Sequence, residues 1–163
     1  MPVFISYRHT DREQALAINT RLKQANINTY LDVLDVESQS TEDITEVITR
    51  NITKCTHLLA VVSERTAQSW WVPFEIGEAT ISNRRICSFR TGVTELPQYL
   101  EKWPKMTKDT DIDLFISSYK TELILERSLG FESIAGSGSM RSTEKGNAEK
   151  FHAELKQKIR RGY

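Results

Sequence analysis

His57-Leu58-Leu59-Ala60-Val61-Val62 is a short run whose apolar side chains fall on both odd and even positions. A strand with that pattern buries both faces, which is the mark of a central strand in a parallel sheet. Ser63 to Ser69 reads as the loop that follows it. Trp70-Trp71-Val72-Pro73-Phe74-Glu75 comes next, and Pro73 is tolerated only in the first turn of a helix. The reading therefore starts a helix near Trp71 or Val72 and carries it to about Asn83, with a further strand over Arg85 to Phe89.

Upstream the same alternation holds. Val3-Phe4-Ile5 is a short β-prone run that ends in Ser6-Tyr7-Arg8. Thr10-Asp11-Arg12-Glu13 fits a capping box, and Ala15, Ile18, Leu22 and Ala25 recur at helical spacing behind it. Asn26 and Asn28 frame the exit into a strand, Thr29-Tyr30-Leu31, followed by a polar loop from Asp32 to Ser40. Thr41 is placed to cap the next helix, with Glu42 and Asp43 near the positive end of its dipole and Ile44, Val47, Ile48 and Ile52 as its buried stripe. Downstream, Leu96 to Trp103 reads as a short helix and Trp103 to Thr107 as an edge strand. Asp109 to Leu129 reads as a long helix with Leu114, Ile116, Leu123, Leu125 and Leu129 among its apolar positions.

These elements divide the chain into a domain over residues 1–132, a Gly/Ser-rich linker over 133–146 and a basic amphipathic helix over 147–163. Phe151, Leu155 and Ile159 give that last helix an apolar line, and Arg141 to Tyr163 holds seven Lys/Arg against three Glu. Over all 163 residues, 22 basic and 22 acidic side chains cancel, which points to neither nucleic acid nor membrane as a partner. No apolar run approaches the ~20 residues that span a bilayer. Cys55 and Cys87 read as reduced structural thiols, and with no signal peptide in view the protein is expected in the cytoplasm.

Strands alternating with helices specify a parallel sheet covered on both faces. Ligands of such sheets bind outside the carboxyl ends of the strands, where strand order reverses. The candidate site is then built from Tyr7-Arg8-His9, Asp32 to Ser40 and Ser63 to Glu75. No Gly-rich phosphate loop follows the first strand, no Cys/His cluster has metal-ligand spacing, and no Ser sits on a Gly-framed elbow. Glu75, read as a first-turn acid beside Trp70 and Trp71, remains as the chemical group. Indole faces suit a purine or a pyridinium ring, and Arg8 suits a phosphate. The alternative for Glu75 is an acid that complements the helix dipole. For Trp70 and Trp71 it is core or interface packing, for Arg8 a surface ion pair, and for Asp32 a turn former.

Phe4-Ile5-Ser6-Tyr7-Arg8, Tyr30-Leu31-Asp32, Cys55 to Ser63 and Trp71-Val72-Pro73-Phe74-Glu75 occur in the order found in TIR (Toll/interleukin-1 receptor) domains, and the chain resembles that family. The last segment is similar to the Trp-x-x-x-Glu segment of its NAD⁺-cleaving branch. The resemblance implies a flavodoxin-like, doubly wound five-stranded parallel sheet with helices on both faces. It implies Glu75 as the catalytic glutamate, Trp71 beside the nicotinamide, and Ser6, Tyr7, Arg8 and Asp32 along the nucleotide pocket. NAD⁺ would be the substrate, with no further cofactor and no metal. Gln39-Ser40-Thr41 departs from the family, whose enzymes often carry a Gly or an aromatic near the end of this so-called BB loop. A lone domain of this kind resembles bacterial antiphage (Thoeris-like) enzymes. That likeness implies self-association through the BB loop and helices, and a separate effector that responds to an ADP-ribose or cyclic ADP-ribose-type product. Two other readings stay open: a non-enzymatic TIR assembly adaptor, and a nucleoside deoxyribosyltransferase-like enzyme.

Overall fold

The computed structural model describes residues 1–31, 44–93, 95–132 and 140–163. Asp32 to Ser40, the proposed cap at Thr41 with Glu42 and Asp43, and the Gly/Ser run at 136–139 lie outside the described residues.

Five parallel strands are described, in the order β2-β1-β3-β4-β5: β1 (Val3–Ser6), β2 (Thr29–Leu31), β3 (His57–Val62), β4 (Arg85–Arg90) and β5 (Lys105–Met106). The helices are α1 (Arg12–Gln24), α2 (Ile44–Lys54), α3 (Trp71–Ile81), α4 (Asp109–Glu132) and α5 (Met140–Arg161). This is the flavodoxin-like strand order, with its switch point between β1 and β3. Register sets Ser6, the last residue of β1, against Ala60 of β3.

The two-residue period of the strands sorts the core into two layers. Val3, Ile5, Leu59, Val61, Cys87 and Phe89 pack with Ala15, Ile18 and Leu22 of α1, Phe115 and Tyr119 of α4, and Phe151 and Leu155 of α5. Phe4, Leu58, Ala60, Val62 and Ile86 pack with Ile48 and Ile52 of α2 and Val72, Ile76 and Ala79 of α3. Asn26 and Asn83 follow α1 and α3 with φ of 62° and 53°, the left-handed turn that ends a helix and that Asn tolerates.

Several expectations change. The capping box at Thr10 to Glu13 does not form: His9–Asp11 is a 3-10 turn, and α1 opens at Arg12 without a side-chain cap. Asp11 is drawn instead toward the loop after β3. The core-facing stripe of α4 is Ile112, Phe115 and Tyr119, while Leu125 is exposed. Leu114, Ile116 and Leu123 are only partly buried. Ser63 to Ser69 contains a 3-10 turn, Glu64–Gln68. Residues 140–146, expected in the linker, are helical, so α5 is two turns longer than its apolar line suggested.

β3 is not apolar throughout, because His57 is fully buried together with Arg85, the first residue of β4. Glu122 of α4 lies 3.1 Å from His57 Nε2 and accepts from Arg85 Nε at 2.7 Å. Glu126 and Glu144 take the remaining guanidinium nitrogens at 3.2 and 2.6 Å. Burial alone would lower the Arg85 pKa, but Glu122 and Glu144 outweigh it and raise it. Burial holds His57 below the usual imidazole range despite Glu122, and His57 and Arg85 together hold Glu122 low against its own burial. α5 thus docks through both apolar and ionic contacts.

Candidate active site

α3 positions the carboxylate. Its buried residues Val72, Glu75, Ile76 and Ala79 follow the i, i+3, i+4, i+7 spacing of a core-facing stripe. Glu75 therefore occupies a position where an apolar side chain would be the stable choice. It lies one residue past the first turn and has no exposed surface. That geometry removes the reading of a solvated acid at the helix end. Burying a carboxylate costs several kcal/mol unless polar partners receive it. Ser6, also fully buried at the carboxyl end of β1, donates its hydroxyl hydrogen to Glu75 Oε2. The pair sits at the switch point, where the topology alone places a ligand.

The loops after β1 and β3 are joined beside this pair. Ser63 Oγ and Thr66 Oγ1 donate to the same Asp11 carboxylate oxygen at 2.9 and 3.2 Å. Thr66 Oγ1 accepts the Ser63 backbone N–H at 2.9 Å, and Ser63 Oγ accepts that of Arg65 at 3.3 Å. Asp11 and Thr66 are buried, so these bonds fix the two loops with little competition from water. Sequence reasoning missed this role of Asp11. The available signal was the Ser63-x-x-Thr66 spacing after a strand, which marks a side-chain-capped turn.

The other predicted residues divide. Arg8 is half-buried and its guanidinium donates to the Arg65 carbonyl oxygen, so in this structure it ties the loops together. Tyr7 is half-buried against the α1 side of the core. Trp71, one helical turn before Glu75 on the same face, is partly buried against the α3 side with Phe74 edge-on at 6.1 Å. Trp70 stacks on Trp71 with centroids 3.7 Å apart and is mostly exposed. Asp32 lies outside the described residues. Ser6 and Glu75 are thus brought together, with Trp71 one helical turn before Glu75, whereas Arg8 and Tyr7 are engaged by the protein itself.

Among the described residues no cluster of three or more His, Cys, Asp or Glu side chains could hold a metal ion, and no helix is long and apolar enough to cross a membrane. Both cysteines are unbonded and buried. Burial pushes the Cys55 thiol up to about 11 and raises that of Cys87 as well, which leaves neither as a thiolate nucleophile at neutral pH.

A doubly wound α/β domain with a buried, serine-bound carboxylate at its switch point is the class that fold and site define. The family model described as "TIR domain" matches residues 3–123, and the chain belongs to the TIR-domain family. Among solved structures it is similar to the TIR domain of the Toll-related receptor TRR-2 from Hydra magnipapillata, at 18% identity and TM-score 0.58, over 75% of this chain and 96% of that one. It also aligns with the TIR domains of the activated Roq1 resistosome that recognises the effector XopQ, at 14% identity and TM-score 0.49, over 99% of both chains. No curated protein sequence matches. α5 begins beyond the stretch that the family model covers.

Proposed function

We propose that this TIR domain cleaves NAD⁺ at the bond between nicotinamide and ribose, with Glu75 as the catalytic carboxylate. The observation that carries the reading is the Ser6–Glu75 hydrogen bond: a fully buried carboxylate, in a stripe built for apolar side chains, at the ligand-binding end of the sheet. The resemblance of Trp71-Val72-Pro73-Phe74-Glu75 to the NAD⁺-cleaving branch of the family supports the substrate class.

The chemistry needs one carboxylate. The bond from ribosyl C1′ to the pyridinium nitrogen breaks, and its electron pair returns to nicotinamide, which leaves neutral without a general acid. Positive charge builds on the ribosyl ring, where an ionised Glu75 stabilises it more than in the ground state. Water at C1′ then gives ADP-ribose and a proton. A nitrogen or hydroxyl of the same nucleotide gives a cyclic ADP-ribose isomer instead. Ser6 is a positioning residue that fixes the carboxylate rotamer. Because Glu75 has no exposed surface, the cycle includes an opening step that admits the ribose. Self-association or a trigger would drive that opening. A nucleotide messenger for a separate effector, as in bacterial antiphage systems, is the physiological setting we assign.

Complete burial of Glu75 also favours a second reading, a signalling adaptor in which the Ser6–Glu75 bond is purely structural. Incubation of the purified protein with NAD⁺, read by chromatography and mass spectrometry, separates the two. The wild type should release nicotinamide and Glu75→Gln should not. Near-normal turnover by Glu75→Gln, or none by the wild type at high concentration with crowding agents, would sink the enzyme reading.

A further inference from the structure

α4 and α5 do not close on each other completely. A cavity of about 80 Å³ lies between them, with Glu122, Leu125 and Glu126 of α4 on one side and Phe151 and Glu154 of α5 on the other. Its walls are mostly apolar. Glu126 and Glu154 are partly exposed and stand at its rim. A water needs about 10–15 Å³ of such space, so there is room for roughly five water-sized groups. The cavity lies on the face of the sheet opposite Glu75, and α5 begins past residue 123, where the family model ends.

Charge is not balanced there. Arg85 serves Glu122, Glu126 and Glu144, and Lys158 serves Glu154, so four carboxylates share two cations. Glu126 and Glu154 each use only Oε1 in these pairs, and Oε2 of each has no ion pair among the described residues. Burial raises the Glu126 carboxyl above its ordinary range, Glu122 and Glu144 add to this, and Arg85 offsets it only in part. Lys150 also borders the cavity, but it is exposed and makes no ion pair among the described residues.

An acidic rim over apolar walls suits a cation that carries its own apolar surface. A metal ion does not fit, because no three His, Cys, Asp or Glu side chains among the described residues could hold one. An alkyl ammonium does fit. Its methylenes would cover Leu125 and Phe151, and its N–H groups would donate to the carboxylates. We infer that the α4–α5 cavity binds a small aliphatic ammonium, which sets its charge between Glu126 and Glu154 and fastens α5 to α4. The inference is independent of the NAD⁺ reading, and its test needs no turnover.

The probe is n-butylammonium, with n-butanol as its uncharged counterpart, titrated into the full chain at constant ionic strength and followed by NMR. The Leu125 methyl and Phe151 ring signals should shift saturably, with a Kd of about 1–10 mM for five non-hydrogen atoms. Butanol should bind about tenfold more weakly. Glu126→Gln and Glu154→Gln, both at partly exposed positions, should each weaken butylammonium by about 2- to 5-fold. Amide exchange along α5 should slow at saturation. No saturable shift up to ~100 mM, equal affinity for butanol, or binding indifferent to both glutamine variants overturns the inference. Binding of an oligolysine peptide without any of butylammonium assigns the rim to a basic protein partner and also overturns it.

Discussion

Acidification should loosen α5 through His152. β5 is two residues long and pairs with β4 only at Ser88 and Phe89. Ser88 N–H points to the β5 side, where it meets the Pro104 carbonyl. Ile86, two residues back, points its N–H the same way but beyond the end of β5. His152 of α5 takes that N–H on Nε2 at 2.7 Å. The acceptor exists only while Nε2 is unprotonated. Burial, then the nearby Lys156, lowers His152 from 6.5 to about 4. A folded pKa below the unfolded one gives stability that is present above 6.5 and lost as pH falls toward 4. The drop from 6.5 to about 4, at about 1.4 kcal/mol per unit, limits the effect to about 3 kcal/mol, of which about 2 kcal/mol is lost between pH 7.5 and pH 5. Burial shifts His57 in the same direction, so the wild type loses at least this much. Urea unfolding at the two pH values measures it. His152→Gln keeps an acceptor oxygen that does not titrate, and should lose about 2 kcal/mol less stability than wild type over that interval. Parallel pH profiles for the two proteins would refute the argument.

Ser6→Ala should keep the fold and lower kcat for NAD⁺ cleavage by about tenfold or more, since a hydrogen bond to a charged group contributes about 1.5–3 kcal/mol; an unchanged kcat in steady-state kinetics would remove Ser6 from the mechanism. Asp11→Ala leaves the Ser63 and Thr66 hydroxyls without their acceptor and should cost about 1–3 kcal/mol in denaturant unfolding, with KM rising as the two loops uncouple. Arg85→Met strands three carboxylates around an apolar tip and should destabilise by about 3–5 kcal/mol, a loss that Glu122→Gln in the same chain partly reverses. Additive losses in that double variant would show that the ionic cluster is not coupled.

What sequence could reveal depended on the range of the interaction. β3 was readable from six consecutive side chains, and the start of α3 from Pro73, because both signals are local. The burial of Glu75 was readable, in retrospect, from its place in the stripe Val72, Ile76, Ala79. The network of His57, Arg85 and Glu122 was not, since its members are 28 or more positions apart and no local pattern pairs them. The start of α5 failed for a related reason. Gly146 costs about 1 kcal/mol in a helix relative to Ala, so local propensity ends the helix near it. The ion pair from Glu144 to Arg85, invisible along the chain, offsets that cost and extends the helix to Met140.

The two polar ends of the sheet should also act independently, although β3 joins them. His57 opens β3 within the ionic cluster, and Val62 closes it beside Ser63 and the loop that carries the site. Five steps at ~3.3 Å per residue put roughly 17 Å between them. Perturbations that far apart, with no shared side-chain partner, add to within about 0.5 kcal/mol. Arg85→Met should therefore lower stability without moving KM for NAD⁺, and Ser6→Ala should lower kcat, and stability by its own amount, without changing the size of the Arg85→Met effect. The double variant should show both effects at their single-variant sizes. A KM shift in Arg85→Met would instead mean that β3 transmits the state of the α4–α5 layer to the carboxyl ends of the strands. α5, which lies beyond the stretch that the family model matches, would then bear on the chemistry as well as on stability.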